Sequence, residues 1–234
     1  PVALLARRLS VGSLSVGALE VTLRPSTAAA ALPAPLALPL AVSTFNFSIT
    51  PACRLTGLYR YMSPMLKVTL RSRHAFEIHG GTSFDYITLF RWSDRGRNAA
   101  RRVMTYYLEG LLAIADLVDR GDVPGSVEIV GTTYFFAPST ARRLGFRVER
   151  PGLRLRLNLL LNAADLILMY SFARGEMALP NLLDAKRAVV NGDTLLAHRG
   201  ELLRMISVVH PGAVEREPRL ASLRAPALAG APTR

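Results

Sequence analysis

The chain has 234 residues, half of them apolar, which is enough to bury a sizeable core in one elaborated domain and excludes disorder over the whole length. Lys and Arg outnumber Asp and Glu by 29 to 17, and a formal charge of +12 attracts phosphates, nucleic acid, anionic lipid or an anionic cofactor without choosing among them. Cys53 is the only cysteine, which excludes an intrachain disulfide and a cysteine-built zinc site.

All but two of the cations, Lys67 and Lys186, are Arg, and residues 1–76 hold eight cations against the single anion Glu20. Residues 1–18 read as a flexible N-terminus or presequence remnant; the expected location is cytoplasmic, or an organelle if that segment directs import. Pro33, Pro35 and Pro39 oppose a helix between Ala28 and Val42. Neither that window nor Leu157–Phe172, interrupted by Asn158, Asn162 and Asp165, reads as a membrane span.

Leu66, Val68 and Leu70 alternate with Lys67, Thr69 and Arg71, which predicts a half-buried strand with a basic outer face. Phe84–Trp92 and Val127–Phe136 are β-branched and aromatic and are predicted strands, the second central. Between them Val103, Tyr107, Leu111, Ile114 and Val118 recur at helical spacing, giving a long helix from Arg97 to Arg120 that Gly121 and Pro124 stop. Ser139–Leu144 reads as a short helix ended by Gly145. Leu153, Leu155, Leu157 and Leu159 alternate with Arg154, Arg156 and Asn158, the pattern of another strand with a basic face. Weaker helical patterns cover Leu160–Phe172, Asn181–Val190 and Thr194–Val209, and Pro and Ala from Pro211 onward suggest a disordered tail. The order of elements gives a mixed α and β domain.

The four histidines, His74, His79, His198 and His210, lack the spacing and nearby carboxylate of a zinc or iron site, so no metal is expected. His79-Gly80-Gly81 has no nucleophile elbow to serve and reads as a turn. Phosphate-loop and dinucleotide fingerprints are absent. What remains is Trp92–Arg102, where a predicted strand runs into the long helix. Small residues there let a diphosphate approach unpaired N–H groups, and Arg97, Arg101 and Arg102 add positive charge. Taken alone, the junction reads more simply as Asp94 or Asn98 capping a surface helix.

Three segments in order carry a resemblance. Leu19–Thr27 looks like an opening strand with an Arg-Pro turn, Arg95-Gly96-Arg97-Asn98-Ala99-Ala100 like a pyrophosphate-cradling Gln/Arg-x-x-Gly-x-Gly/Ala motif, and Thr140–Val148 like a short helix ending in Leu-Gly-Phe. On these the chain resembles a GNAT-type N-acyltransferase over residues 19–150. Asn98 stands where the motif has its first glycine, and Ala141 where the family often has a Tyr general acid.

The resemblance implies an α+β fold with a mixed, mostly antiparallel sheet flanked by helices. It further implies an acyltransferase-like domain over 19–159, a C-terminal helical elaboration over 160–210 and a tail over 211–234. It implies acetyl-CoA or another acyl-CoA as cofactor and a small-molecule or protein amine as acceptor. Arg95 to Ala100 would hold the diphosphate, and Leu89 and Arg91 would border a backbone N–H for the oxyanion. Tyr134 and Glu128 are the candidate acid and base, and the two departures make an inactive relative of the same fold a companion expectation. The other class is a binding protein: Arg60, Lys67, Arg71, Arg73, Arg154 and Arg156, interleaved with Tyr59 and Tyr61, would form a basic face for nucleic acid if their strands adjoin, and a protein partner is equally open.

Overall fold

The computed structural model describes residues 34–72, 75–132 and 137–210. The chain divides at Ala37 and Leu38 into two units, and the sheet lies in the second. In chain order the elements are α1 (Ala34–Leu55), β1 (Arg60–Ser63), β2 (Leu66–Ser72), β3 (Ala75–Gly80), α2 (Ser83–Leu89), α3 (Arg97–Asp119), β4 (Glu128–Thr132), α4 (Pro138–Arg143), β5 (Arg147–Glu149), α5 (Leu153–Leu161), α6 (Ala163–Arg174), β6 (Arg187–Asn191), α7 (Gly192–Ala197) and α8 (Arg199–Val209). The fold is α+β, with one mixed six-stranded sheet in the order β1-β2-β3-β4-β6-β5 flanked by helices. All neighbouring strands are antiparallel except β3 and β4.

Helix α3 organises the core. Its predicted apolar positions Val103, Tyr107, Leu111, Ile114 and Val118 are all buried, and the helix packs on β1, β2, α6, α7 and α8. Gly121, at φ +75, ends it in the left-handed conformation that favours glycine. Gly110 lies where α3 crosses β2, and a Cβ there would stand 2.7 Å from Leu66 Cβ.

Several elements differ from expectation for physical reasons. Phe84–Trp92 is not a strand: the Thr82 N–H donates to Asp85 Oδ2 at 2.8 Å, this cap starts α2 despite the aromatic and β-branched content, and Trp92 opens a 3-10 turn before α3. Leu153–Leu159 is also helical. It is built only from Leu, Arg and Asn, without a β-branched residue, and α5 starts straight after Pro151-Gly152. The expected helix over Asn181–Val190 is instead a 3-10 turn at Leu182–Asp184 followed by β6, whose buried Ala188, Val189 and Val190 lie between β4 and β5. The C-terminal third thus supplies a central strand as well as helices. The prolines do not prevent α1: Pro35 falls in its first turn, and Pro39 and Pro51 each forgo one helical bond. The proposed opening strand Leu19–Thr27 and the tail from Pro211 lie outside the described residues.

No single described helix is long and apolar enough to cross a membrane; α5 and α6 reach that length only as a pair bent by 69°.

Replacing Gly110 by Ala should lower unfolding free energy by about 1–3 kcal/mol through crowding against Leu66. At an open helical site the same change should stabilise by up to about 1 kcal/mol. Urea denaturation gives the sign directly.

Candidate functional site

The parallel pairing of β3 and β4 is short. Ala75, Phe76 and Glu77 pair with Glu128, Ile129 and Val130, after which β3 continues to Gly80 bonded to β2, and β4 continues to Thr132 bonded to β6. Ile78 leans over Gly131, where a Cβ would be 2.7 Å from Ile78 Cγ1. A cavity of about 460 Å³ opens at this parting, where ligand sites form at the carboxyl ends of parallel strands. Leu66, Ile78, Tyr107, Leu111, Leu144 and Phe146 give it apolar walls, and Asn158 and Leu161 are exposed at its rim.

Its polar end is built by register. Lys67 on β2 sits directly across from His79 on β3, so the two side chains share one face of the sheet. His79 Nε2 lies 3.0 Å from Thr69 Oγ1. The Lys67 ammonium is 4.0 Å from the centroid of the Tyr59 ring, with the residue only 5% exposed. Asp165, 6% exposed, enters from the first turn of α6. That turn is tied to α1: Asn46 Nδ2 donates to Asn162 Oδ1 at 2.7 Å, and the Asp165 N–H donates to Ser43 Oγ at 3.1 Å.

Burial dominates the electrostatics of this end. It pushes the Lys67 ammonium below its ordinary value, against the opposing charges of Asp85, Cys53 and Asp165. His79 is lowered first by burial and then by the Lys67 charge, with Glu77 opposing, so the imidazole is neutral at pH 7. Burial raises Asp165, while hydrogen bonds from Ser83 and Asn46 and the Lys67 charge pull it down. Behind the wall, Asp85 is fully buried and its carboxylate accepts from the Thr82 N–H and hydroxyl and from the Tyr61 hydroxyl, which lies 3.1 and 3.2 Å from its two oxygens. The Tyr61 phenol is raised by burial and by that carboxylate.

The residues expected to bind a cofactor sit elsewhere. Gly96 caps α3 at φ +85, is buried, and donates its N–H to the Phe172 carbonyl at 2.8 Å. A Cβ on Gly175, which closes α6 at φ +79, would lie 3.0 Å from Gly96 Cα, so the small residue at 96 lets two helix ends meet. Ala99 is buried, whereas Arg91, Arg95, Arg97, Asn98 and Ala100 are exposed. Arg95 lies over Trp92, Asp94 accepts from the Arg91 N–H and from Arg102, and Arg102 also donates to the Leu89 carbonyl. None of residues 89–100 lines the cavity. Glu128 begins β4, at the end away from the cavity, and is ion-paired with Arg187 at 3.2 Å. Tyr134 lies outside the described residues. Of the resembling segments, the one ending in Leu144-Gly145-Phe146 does reach the cavity, through Ala141, Leu144 and Phe146.

Among the described residues the expected basic face is not assembled from adjoining strands. Lys67 is buried rather than solvated, and Arg154 and Arg156 lie on helix α5 rather than a strand. The Arg71 side chain and Arg73 lie outside the described part. Among the described residues no group of three His, Cys, Asp or Glu side chains could hold a metal ion. Lys67, His79 and Asp165 were not visible as a site in the sequence; the one signal was a lysine inside a strand pattern in a chain whose only other lysine is Lys186.

Comparison with protein-family models, with curated proteins and with solved structures finds no match to this chain.

Because His79 titrates below its ordinary 6.5 in the folded state, its contribution to stability is complete above pH 6.5 and is lost as pH falls through the folded value. Thermal midpoints measured from about pH 8 down to 5 should show this decline, and His79→Gln should flatten it.

Proposed function

We propose that the chain is an acyl-CoA-dependent N-acyltransferase whose reaction takes place in the cavity between β3 and β4. The observation that carries this reading is the parting itself. Beyond Glu77 and Val130 the facing edges of two parallel strands offer backbone groups without a ladder partner on that side, next to a neutral imidazole. An extended thioester arm can lie along such edges as an added strand does. The resemblance at Thr140–Val148 supports the same place, because Ala141, Leu144 and Phe146 form its wall.

In this mechanism the amine nitrogen attacks the thioester carbon, the C–N bond forms and the carbonyl electron pair moves onto oxygen. His79 takes the proton released by the amine. The C–S bond then breaks as the carbonyl re-forms, and the departing thiolate takes a proton from Asp165, whose protonated form is favoured by burial. Holding the two reactants together in the cavity contributes the rest. His79 takes the place of Glu128 as base, and Asp165 that of Tyr134 as acid. The exposed part of the junction, Arg97 and Asn98, is the candidate for the diphosphate.

Acetyl-CoA should raise the thermal midpoint saturably, by mass action on the folded state. His79→Gln should keep that shift and lower kcat by about 10²–10⁴-fold with an amine acceptor. Asn98→Glu should weaken the shift by placing a carboxylate at the diphosphate. No shift at millimolar acetyl-CoA, with titration calorimetry also silent, overturns the reading.

A further inference from the structure

We infer that the molecule accepted by this cavity carries a carboxylate beside its amine and an apolar body, with Lys67 as the counter-ion of the carboxylate. The inference deepens the acyltransferase reading and rests on it for the reaction, but the binding it describes can be tested without acyl-CoA.

Lys67 is the starting point. Its side chain is almost fully buried, yet it lines the cavity, and its ammonium lies over the face of Tyr59. An ammonium has three donors and no acceptor, and a ring face engages its charge without a conventional acceptor, so Lys67 can donate to an anion in the cavity it lines. No carboxylate stands within ion-pair distance among the described residues. Asp85 is committed to Thr82 and Tyr61 and does not line the cavity. Asp165 lines it too and acts on Lys67 through its charge, but no ion pair between the two is formed.

The kind of anion follows from the same wall. In a chain with 27 Arg, no described Arg lines the cavity, and Lys67 is the one Lys or Arg among the described residues that does. One compact cation suits a monoanion such as a carboxylate, whereas a phosphate dianion calls for the forked donors of Arg or several cations. The amine is placed by the neighbouring strand. Lys67 and His79 are direct cross-strand partners, so groups bound to them lie side by side, as the carboxylate and amine of an amino acid do. Leu111, Leu159, Leu166 and Met169 then face the remainder of the molecule with apolar surface.

Three related probes divide the possibilities: L-phenylalanine, 3-phenylpropionate, which lacks the amine, and phenethylamine, which lacks the carboxylate. Calorimetric titration of the full chain should show saturable binding of the two carboxylates, with phenethylamine at least tenfold weaker. Lys67→Met should weaken both carboxylates tenfold or more and leave phenethylamine unchanged. Its thermal midpoint should equal or exceed the original, because a buried cation has been replaced by an apolar side chain. Equal binding of phenethylamine, unchanged carboxylate affinity in a folded Lys67→Met protein, or no carboxylate binding at all each overturns the inference. Carboxylate binding without any acetyl-CoA shift would remove the acyltransferase reading alone and leave the carboxylate site standing.

Discussion

The constraint on which the rest of the structure depends is the brevity of the β3–β4 pairing. Three residue pairs join the two halves of the sheet, and each strand then follows its other neighbour, β3 toward β2 and β4 toward β6. Gly131 is what allows this, since Ile78 occupies the space a β-carbon would need. The gap is closed by α3 through Tyr107 and Leu111, by the α4–β5 turn through Leu144 and Phe146, and by the bend between α5 and α6. The cavity is therefore a product of topology rather than of any one loop.

The site's chemistry follows from placing polar residues where that topology excludes water. Lys67 and His79 meet because β2 and β3 are in antiparallel register, and their shared burial pushes both toward their neutral forms, as it does Asp165 from the opposite direction. Groups whose proton affinities are shifted in this way can trade protons with a ligand. The α3 junction, by contrast, spends its small residues on holding α6: Gly96 and Gly175 meet backbone to backbone, and the Gly96 amide is bonded to Phe172.

Much of this architecture was legible in the sequence where one local signal acted alone. Helix α3, strand β2, the short helix α4 and the central position of β4 follow from periodicity and turn residues. Strand and helix were confused where composition and context disagreed, as in α2, where Phe84, Tyr86, Ile87 and Thr88 favour a strand but the Thr82–Asp85 cap decides. The Leu-Arg alternation of α5 fits a strand period, yet no sheet edge takes those residues. The site was less legible because it is non-local. Lys67 looked like the outer face of a strand, and only the helices beyond residue 153 and the α1 segment before it bury that face. His79-Gly80-Gly81 looked like a turn and is in fact the end of a strand at the cavity.

Hydrogen-exchange mass spectrometry with and without saturating acetyl-CoA and L-phenylalanine tests the central claim most directly, because it reports where on the chain ligand changes backbone protection. The account predicts slowed exchange across residues 78–82, 131–132 and 141–146, the segments that border the parting strands, together with residues 97–98 when acetyl-CoA is present. Protection confined to residues 95–102, with those segments unchanged, would contradict it and return the site to the helix junction.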